Sequence, residues 1–280
     1  MRDSRGGGDG PRDDIMPVNL ARTFLFAPAS RLDQVEKALL TTADVVIIDL
    51  EDAVRSEDKA RARGNLALLQ PSRGACVRIN DETSDHFEDD IAFLAVCRWV
   101  SAVMLPKVQS AEQVGRYRLA CKSDVPVLAL IESAQGIVAS EEIAASGVSR
   151  LLFGSADYTA ELGAEPNEKL FAYPRSRLVV ASAATGLPSP VDGPTLAVHD
   201  DAKLIEEATA ARLLGMGGKL CIHPAQVSIV DSIFRASASD VQWAREVLDV
   251  FEKRGDGVVL VGGEMVDAPV VTRARKILGK

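Results

Sequence analysis

At 280 residues the chain can form one large α/β domain or two small ones, with material for a sizeable core. Its 47% hydrophobic and 26% charged residues are ordinary for a globular protein, and a net charge of −8 argues against a nucleic-acid footprint. No apolar run approaches the roughly 20 residues of a membrane span, and aromatics are scarce beside Ala, Val, Leu and Ile, a bias suited to parallel strands buried on both faces.

The opening MRDSRGGGDGPRDD has no apolar h-region, so it does not read as a secretory signal; residues 1–18 are expected to form a disordered, Gly-rich tail. Short β-forming runs then alternate with stretches of helical spacing. In order the runs are TFLFA (23–27), VVIID (45–49), ACVRI (75–79), AVMLP (102–106), VLALIE (127–132), LLFGS (151–155), LPSPV (187–191) and KLCIH (219–223). Between them, 31–40, 58–69, 111–121 and 200–214 carry apolar residues near helical spacing. Eight such alternations predict a closed (β/α)8 TIM barrel over 19–236. The seventh run is the weakest, because GLPSPVDGPT is rich in Pro and Gly. Residues 237–280 are expected to form a C-terminal helical arm or cap. There 240–254 carries an apolar stripe at Val241, Ala244, Val247, Leu248 and Phe251, and Pro269 suits the first turn of a terminal helix. The four cysteines lack CxxC spacing and read as small buried hydrophobes, which fits reduced thiols and a cytoplasmic location.

A barrel carries its active site at the C-terminal ends of its strands. Those ends supply Glu51 and Asp52, Arg78 and Asn80, Lys107, Glu132, Asp157, Asp192 and His223. Glu132 and Asp157 end or follow neighbouring predicted strands, which lie about 4.8 Å apart, so both carboxylates can reach one cation. Oxygen ligands without His or Cys favour Mg²⁺ or Mn²⁺. Each acid has a plainer reading as a helix cap, above all Asp157 before YTAEL. Arg78 can hold a developing enolate or a carboxylate in fork geometry, or simply pair with the acids; Lys107 has the same choice without the fork. The run FGSAD also offers backbone N–H groups to a carboxylate. His223 suits a structural role better than that of a base, and His86 and His199 read as loop residues. No P-loop or GxGxxG follows a strand.

The ordered set RTFLFAPASR, ADVVIIDLEDAV, VRIN, MLPKV, LIESAQGI, LLFGSADYTAELG, YPRSRLVVASAATGLP and GKLCIHPAQV resembles the HpcH/HpaI aldolase and citrate lyase β-subunit family. The likeness runs from about Arg22 to the end and is closest to the citrate lyase β-subunit-like branch, related to malyl-CoA and citramalyl-CoA lyases. It implies a trimeric or hexameric TIM barrel that uses Mg²⁺ to make or break a carbon–carbon bond. By motif it assigns Glu132 and Asp157 to the metal and Arg78 to substrate and enolate. Glu51 and Asp52 become acids that hold metal-bound waters and position that arginine. Asp267 of MVDAP matches a general acid/base on the C-terminal segment, and Arg22, Ala156 and Asp157 match substrate contacts. Two departures stand out. Pro28-Ala29 replaces the usual Pro-Gly, and IES replaces the commoner IET. Asp267, two residues before Pro269, also suits a helix start.

The resemblance implies cleavage of a 3-hydroxyacyl thioester to acetyl-CoA, or a homologue, and a 2-oxo acid. Its rivals are a metal-dependent pyruvate aldolase that does not use CoA, phosphoryl transfer of the phosphoenolpyruvate kind, and a non-catalytic or carrier-dependent subunit of a larger complex.

Overall fold

The computed structural model describes residues 16–122, 124–254, 259–261 and 264–279. Most of the expected N-terminal tail therefore lies outside the described residues. Eight parallel strands close into a barrel in sequence order: β1 (Thr23–Pro28), β2 (Val45–Asp49), β3 (Ala75–Arg78), β4 (Val100–Leu105), β5 (Val127–Ile131), β6 (Arg150–Phe153), β7 (Val191–Asp192) and β8 (Gly218–Cys221). The last of them pairs back onto the first, Phe24 opposite Leu220. This is the TIM barrel the alternation predicts.

Period-two alternation sorts the strand residues into two layers. Phe24, Val45, Ile47, Cys76, Met104, Leu128, Leu130, Leu152, Val191 and Leu220 fill the inside. Leu25, Val46, Ile48, Val77, Val103, Ala129, Ile131, Leu151, Phe153 and Cys221 pack outward beneath the helices. The buried aliphatic composition follows from this double coverage.

The seventh strand is shorter and later than its run suggested. Only Val191 and Asp192 join the ladder, because the Pro-rich approach cannot supply the missing N–H groups. Strands three, four, five, six and eight stop short of their predicted ends; the sixth does so because Ser155 already opens α7 (Ser155–Leu162). Helix α4 (Ala111–Cys121) matches its predicted stretch and starts on a capping box from Ser110 and Gln113. Helix α2 (Ser56–Ala67) starts and ends two residues before its predicted bounds, and α9 (Asp201–Leu213) follows an Asp200 cap.

The N-terminal end of the barrel is stoppered by Arg150. Its Nη1 donates to the carbonyls of Val18 and Ala21, its Nε donates to Ser189 O, and its guanidinium lies over the Phe24 ring. Burial pushes its pKa down to about 10.

A second compact unit begins at Arg235. It holds α11 (Ala238–Arg254), the antiparallel pair β9 (Val259–Val261) and β10 (Glu264–Val266), and α12 (Ala268–Ile277). Ala244, Val247, Leu248, Val266, Val271 and Ala274 form its core. The strand pair was not foreseen from the Gly-rich sequence. Among the described residues no helix is long and apolar enough to cross a membrane, and the four cysteines are free.

Candidate active site

The inward-facing parity of the strands continues past the apolar core at the C-terminal end. Two residues beyond Phe24, Ile47, Cys76 and Leu130 stand Phe26, Asp49, Arg78 and Glu132, a top layer that is polar apart from Phe26. Asp49 and Arg78 are register partners on β2 and β3. Asp49 grips the guanidinium in a fork, with Arg78 Nε donating to Oδ1 and Nη2 to Oδ2, both at 2.7 Å. The same carboxylate accepts the N–H groups of Glu51 and Ala53, so one residue fixes both the arginine and the turn that follows β2. Arg78 also lies over the Phe26 ring, 5.0 Å from its centroid. Burial works against the guanidinium's charge, but Asp49 and Glu51 raise its pKa above the ordinary value.

Glu51 stands beside this pair with both carboxylate oxygens buried. Arg78 Nη1 approaches Oε2 at 2.9 Å and Lys107 Nζ approaches Oε1 at 2.7 Å. Neither oxygen has a partner in hydrogen-bond geometry. Burial raises the Glu51 pKa, with Arg78 and Lys107 opposing. Asp52 is more exposed and stands 3.8 Å from Arg78 and 3.7 Å from Lys107. The turn is propped from below by buried Lys59, whose Nζ donates to Leu50 O, Glu51 O and Asn80 Oδ1. Asn80 in turn bonds Asp90, which pairs with Arg63.

Glu132 follows β5 and is buried. Its pKa is pushed up to about 9, first by burial and then by the hydrogen bond and charge of Asp157, with Glu51 adding to the effect. Asp157 is an exposed residue in the first turn of α7, next to Ala156. Gly154, the residue before that helix, makes the approach possible. A Cβ there would stand 2.4 Å from Glu132 Cβ and 2.6 Å from its Oε2.

The donor set fits a hard divalent cation. Asp49, Glu51, Asp52, Glu132 and Asp157 converge with Lys59, Arg78 and Lys107, five carboxylates against three cations. Two negative charges remain over, and the raised pKa of Glu132 reflects them. Among the described residues no group of three or more His, Cys, Asp or Glu side chains is arranged to hold a metal. Mg²⁺ asks for less, usually one or two carboxylates with water and substrate completing its shell.

A family model described as HpcH/HpaI aldolase/citrate lyase matches residues 22–224, and one described as a C–C bond lyase of the TIM-barrel fold matches 175–280. The chain belongs to the HpcH/HpaI aldolase/citrate lyase family. The citrate lyase subunit beta-like protein of Deinococcus radiodurans is 35% identical, over 94% of this chain and 98% of that one. The (3S)-malyl-CoA thioesterase of Cereibacter sphaeroides is 32% identical, over 92% and 94%. The crystal structure of CitE from Mycobacterium tuberculosis, in complex with magnesium, acetoacetate and coenzyme A, is 34% identical; the match covers 94% of this chain and 98% of that chain, with a TM-score of 0.79.

In this HpcH/HpaI family member the structure gathers Glu51, Asp52, Arg78, Glu132, Ala156 and Asp157 at one end of the barrel. Arg22 requires a correction. It precedes β1, so it sits at the opposite end of a strand about 20 Å long. There its N–H donates to Asp44 and its Nε pairs with Asp231. Asp192 also leaves the site, because Val191 faces inward and its neighbour therefore faces outward. Asp192 is buried between Arg175 and Lys219 in an ion cluster under the helices. His223 caps the helix that follows β8, its Nδ1 accepting the Ala225 N–H, and His86 bonds Ser56. Asp267 belongs to the second unit, where its carboxylate caps α12 by accepting the Val270 N–H. Asp49 and Lys107 are the residues that sequence reasoning undervalued. For Asp49 the signal was its parity with Val45 and Ile47.

Proposed function

We propose that the chain is a Mg²⁺-dependent carbon–carbon lyase that cleaves, or in reverse forms, a 3-hydroxyacyl thioester of the malyl-, citramalyl- or citryl-CoA kind. The products are acetyl-CoA or a homologue and a 2-oxo acid. The observation that carries this reading is the gathering of Glu132, after β5 and over Gly154, and Asp157, in the first turn of α7, beside an arginine locked by Asp49. The magnesium, acetoacetate and coenzyme A in the CitE structure support the choice of ion and thioester.

Glu132 and Asp157 would hold the ion, which when bound polarises substrate oxygens as a Lewis acid; Mn²⁺ suits the same donors. As the substrate hydroxyl gives up its proton to Asp267, the general acid/base assigned by motif, and becomes the carbonyl of the oxo acid, the electron pair of the breaking C–C bond passes into the thioester, forming an enolate. Asp49 occupies two of the five N–H bonds of Arg78 and Glu51 faces a third, which leaves donors for that enolate oxygen. A well-placed donor of this kind contributes about 3–4 kcal/mol. The free N–H groups at the start of α7, including that of Ala156, suit the carboxylate of the oxo acid. Glu51, with two buried oxygens lacking hydrogen-bond partners, suits water at the ion, and Asp52 stands beside it. Asp267 is assigned the return of a proton to the enolate carbon, on its motif alone. We place the enzyme in the cytoplasm as a homotrimer or hexamer, on the family likeness and the free cysteines.

The test is a panel of malyl-, citramalyl-, citryl- and methylmalyl-thioesters with Mg²⁺ or EDTA, read by product mass. Cleavage that EDTA stops, giving a shorter acyl-CoA and an oxo acid, is expected, and Glu132→Ala should abolish it. Turnover only of CoA-free hydroxy acids would select the pyruvate aldolase, and silence throughout would select the subunit reading.

A further inference from the structure

Among the described residues only Lys107 and Lys122 combine a side chain with positive φ. Lys122 closes α4 as its left-handed C-cap, a common place for that conformation. Lys107, at φ 53°, follows β4 and ends no helix. Such a conformation persists where the surroundings over-determine it. Here the excursion lasts one residue, because the Val108 N–H rejoins β5 by donating to Leu130 O at 3.1 Å. The Lys107 N–H is thereby turned to Glu132, donating to Oε1 at 2.7 Å. Its Nζ reaches the other side of the site, 2.7 Å from Glu51 Oε1. Glu132 Oε1 is thus engaged by an amide. Oε2, which lies over Gly154, is the oxygen left to face a cation.

We propose that Lys107 is a positioning residue for the cation site, its left-handed backbone amide fixing Glu132 so that Oε2 alone meets the ion, while its ammonium holds Glu51. This rests on the reading of Glu132 and Asp157 as cation ligands.

The experiment is Mn²⁺ binding to the metal-stripped full chain, measured by calorimetry without substrate. Wild type is expected to bind; if it does not, the cation reading itself fails, and this inference with it. Lys107→Gly and Lys107→Asn tolerate the left-handed backbone and should bind within about threefold of wild type. Lys107→Val disfavours that backbone and should bind about tenfold more weakly or worse. All three should lose turnover at saturating Mn²⁺, because each lacks the ammonium. If Lys107→Val does not fold, Lys107→Ala should bind Mn²⁺ about three- to tenfold more weakly than Lys107→Gly. Equal Mn²⁺ affinity in the valine, or alanine, and glycine variants would overturn the proposal while leaving the cation reading intact. A merely structural lysine would give that equality.

Discussion

Arg78 and Glu132 are both buried beside acids; burial disfavours the charge on each, but the acids restore it on Arg78 and oppose it on Glu132. Arg78 keeps its charge because Asp49 meets it in fork geometry. Asp49→Ala should therefore cost about 3–5 kcal/mol in urea denaturation, the usual consequence of removing one partner of a buried ion pair. Arg78→Lys cannot reproduce the fork and should lower kcat by about 10²–10³. Glu132 has no such fork partner, and Asp157 and Glu51 add to burial in raising its pKa. Its folded pKa of about 9 lies above the ordinary carboxyl value of 4.5, so the folded chain holds a proton that the unfolded chain has released. That contribution to stability is complete below pH 4.5 and is lost as the pH rises toward about 9. Melting temperatures in EDTA should accordingly fall across this range, and saturating Mn²⁺ should flatten the slope. A slope unchanged by Mn²⁺ would separate the proton from the cation site.

Among the elements, the barrel was the most legible part of the sequence, because β-forming runs and helical spacing alternate eight times. The same period-two rule, carried two residues past Ile47, Cys76 and Leu130, reaches Asp49, Arg78 and Glu132. Asp49 was open to that reasoning, although its run shows it only as the last residue of a strand. Arg22 was open to it too: it precedes its strand, while the site lies where strands finish. Asp192 was not decidable, since a two-residue strand in a Pro- and Gly-rich stretch has no parity to read beforehand. Nor was the backbone of Lys107, because left-handed turns normally announce themselves with Gly or Asn. The β6–α7 junction carries its own prediction. Gly154→Ala should displace Glu132 and abolish turnover, whereas Gly163→Ala, at the far end of α7, should cost stability without touching the site. Circular dichroism and steady-state kinetics on the pair separate the two effects.

For the molecule as a whole, every residue assigned to the cation lies in the barrel unit, while Asp267 lies beyond Arg235 in the other. A chain ending at Phe234 should therefore retain Mn²⁺ binding and lose turnover. Loss of both would show that the barrel depends on the second unit for its fold. Retained turnover would remove Asp267 from the chemistry.

The two acids that face one another at the mouth of the barrel are mounted differently. Glu132 is held by the amide of Lys107 directly after its strand, whereas Asp157 is an exposed residue in the first turn of a helix eight residues long. They resemble a vice with one jaw bolted to the bench and the other on a screw. If the pair holds the proposed cation, a change of ion radius would be taken up at Asp157 rather than at Glu132.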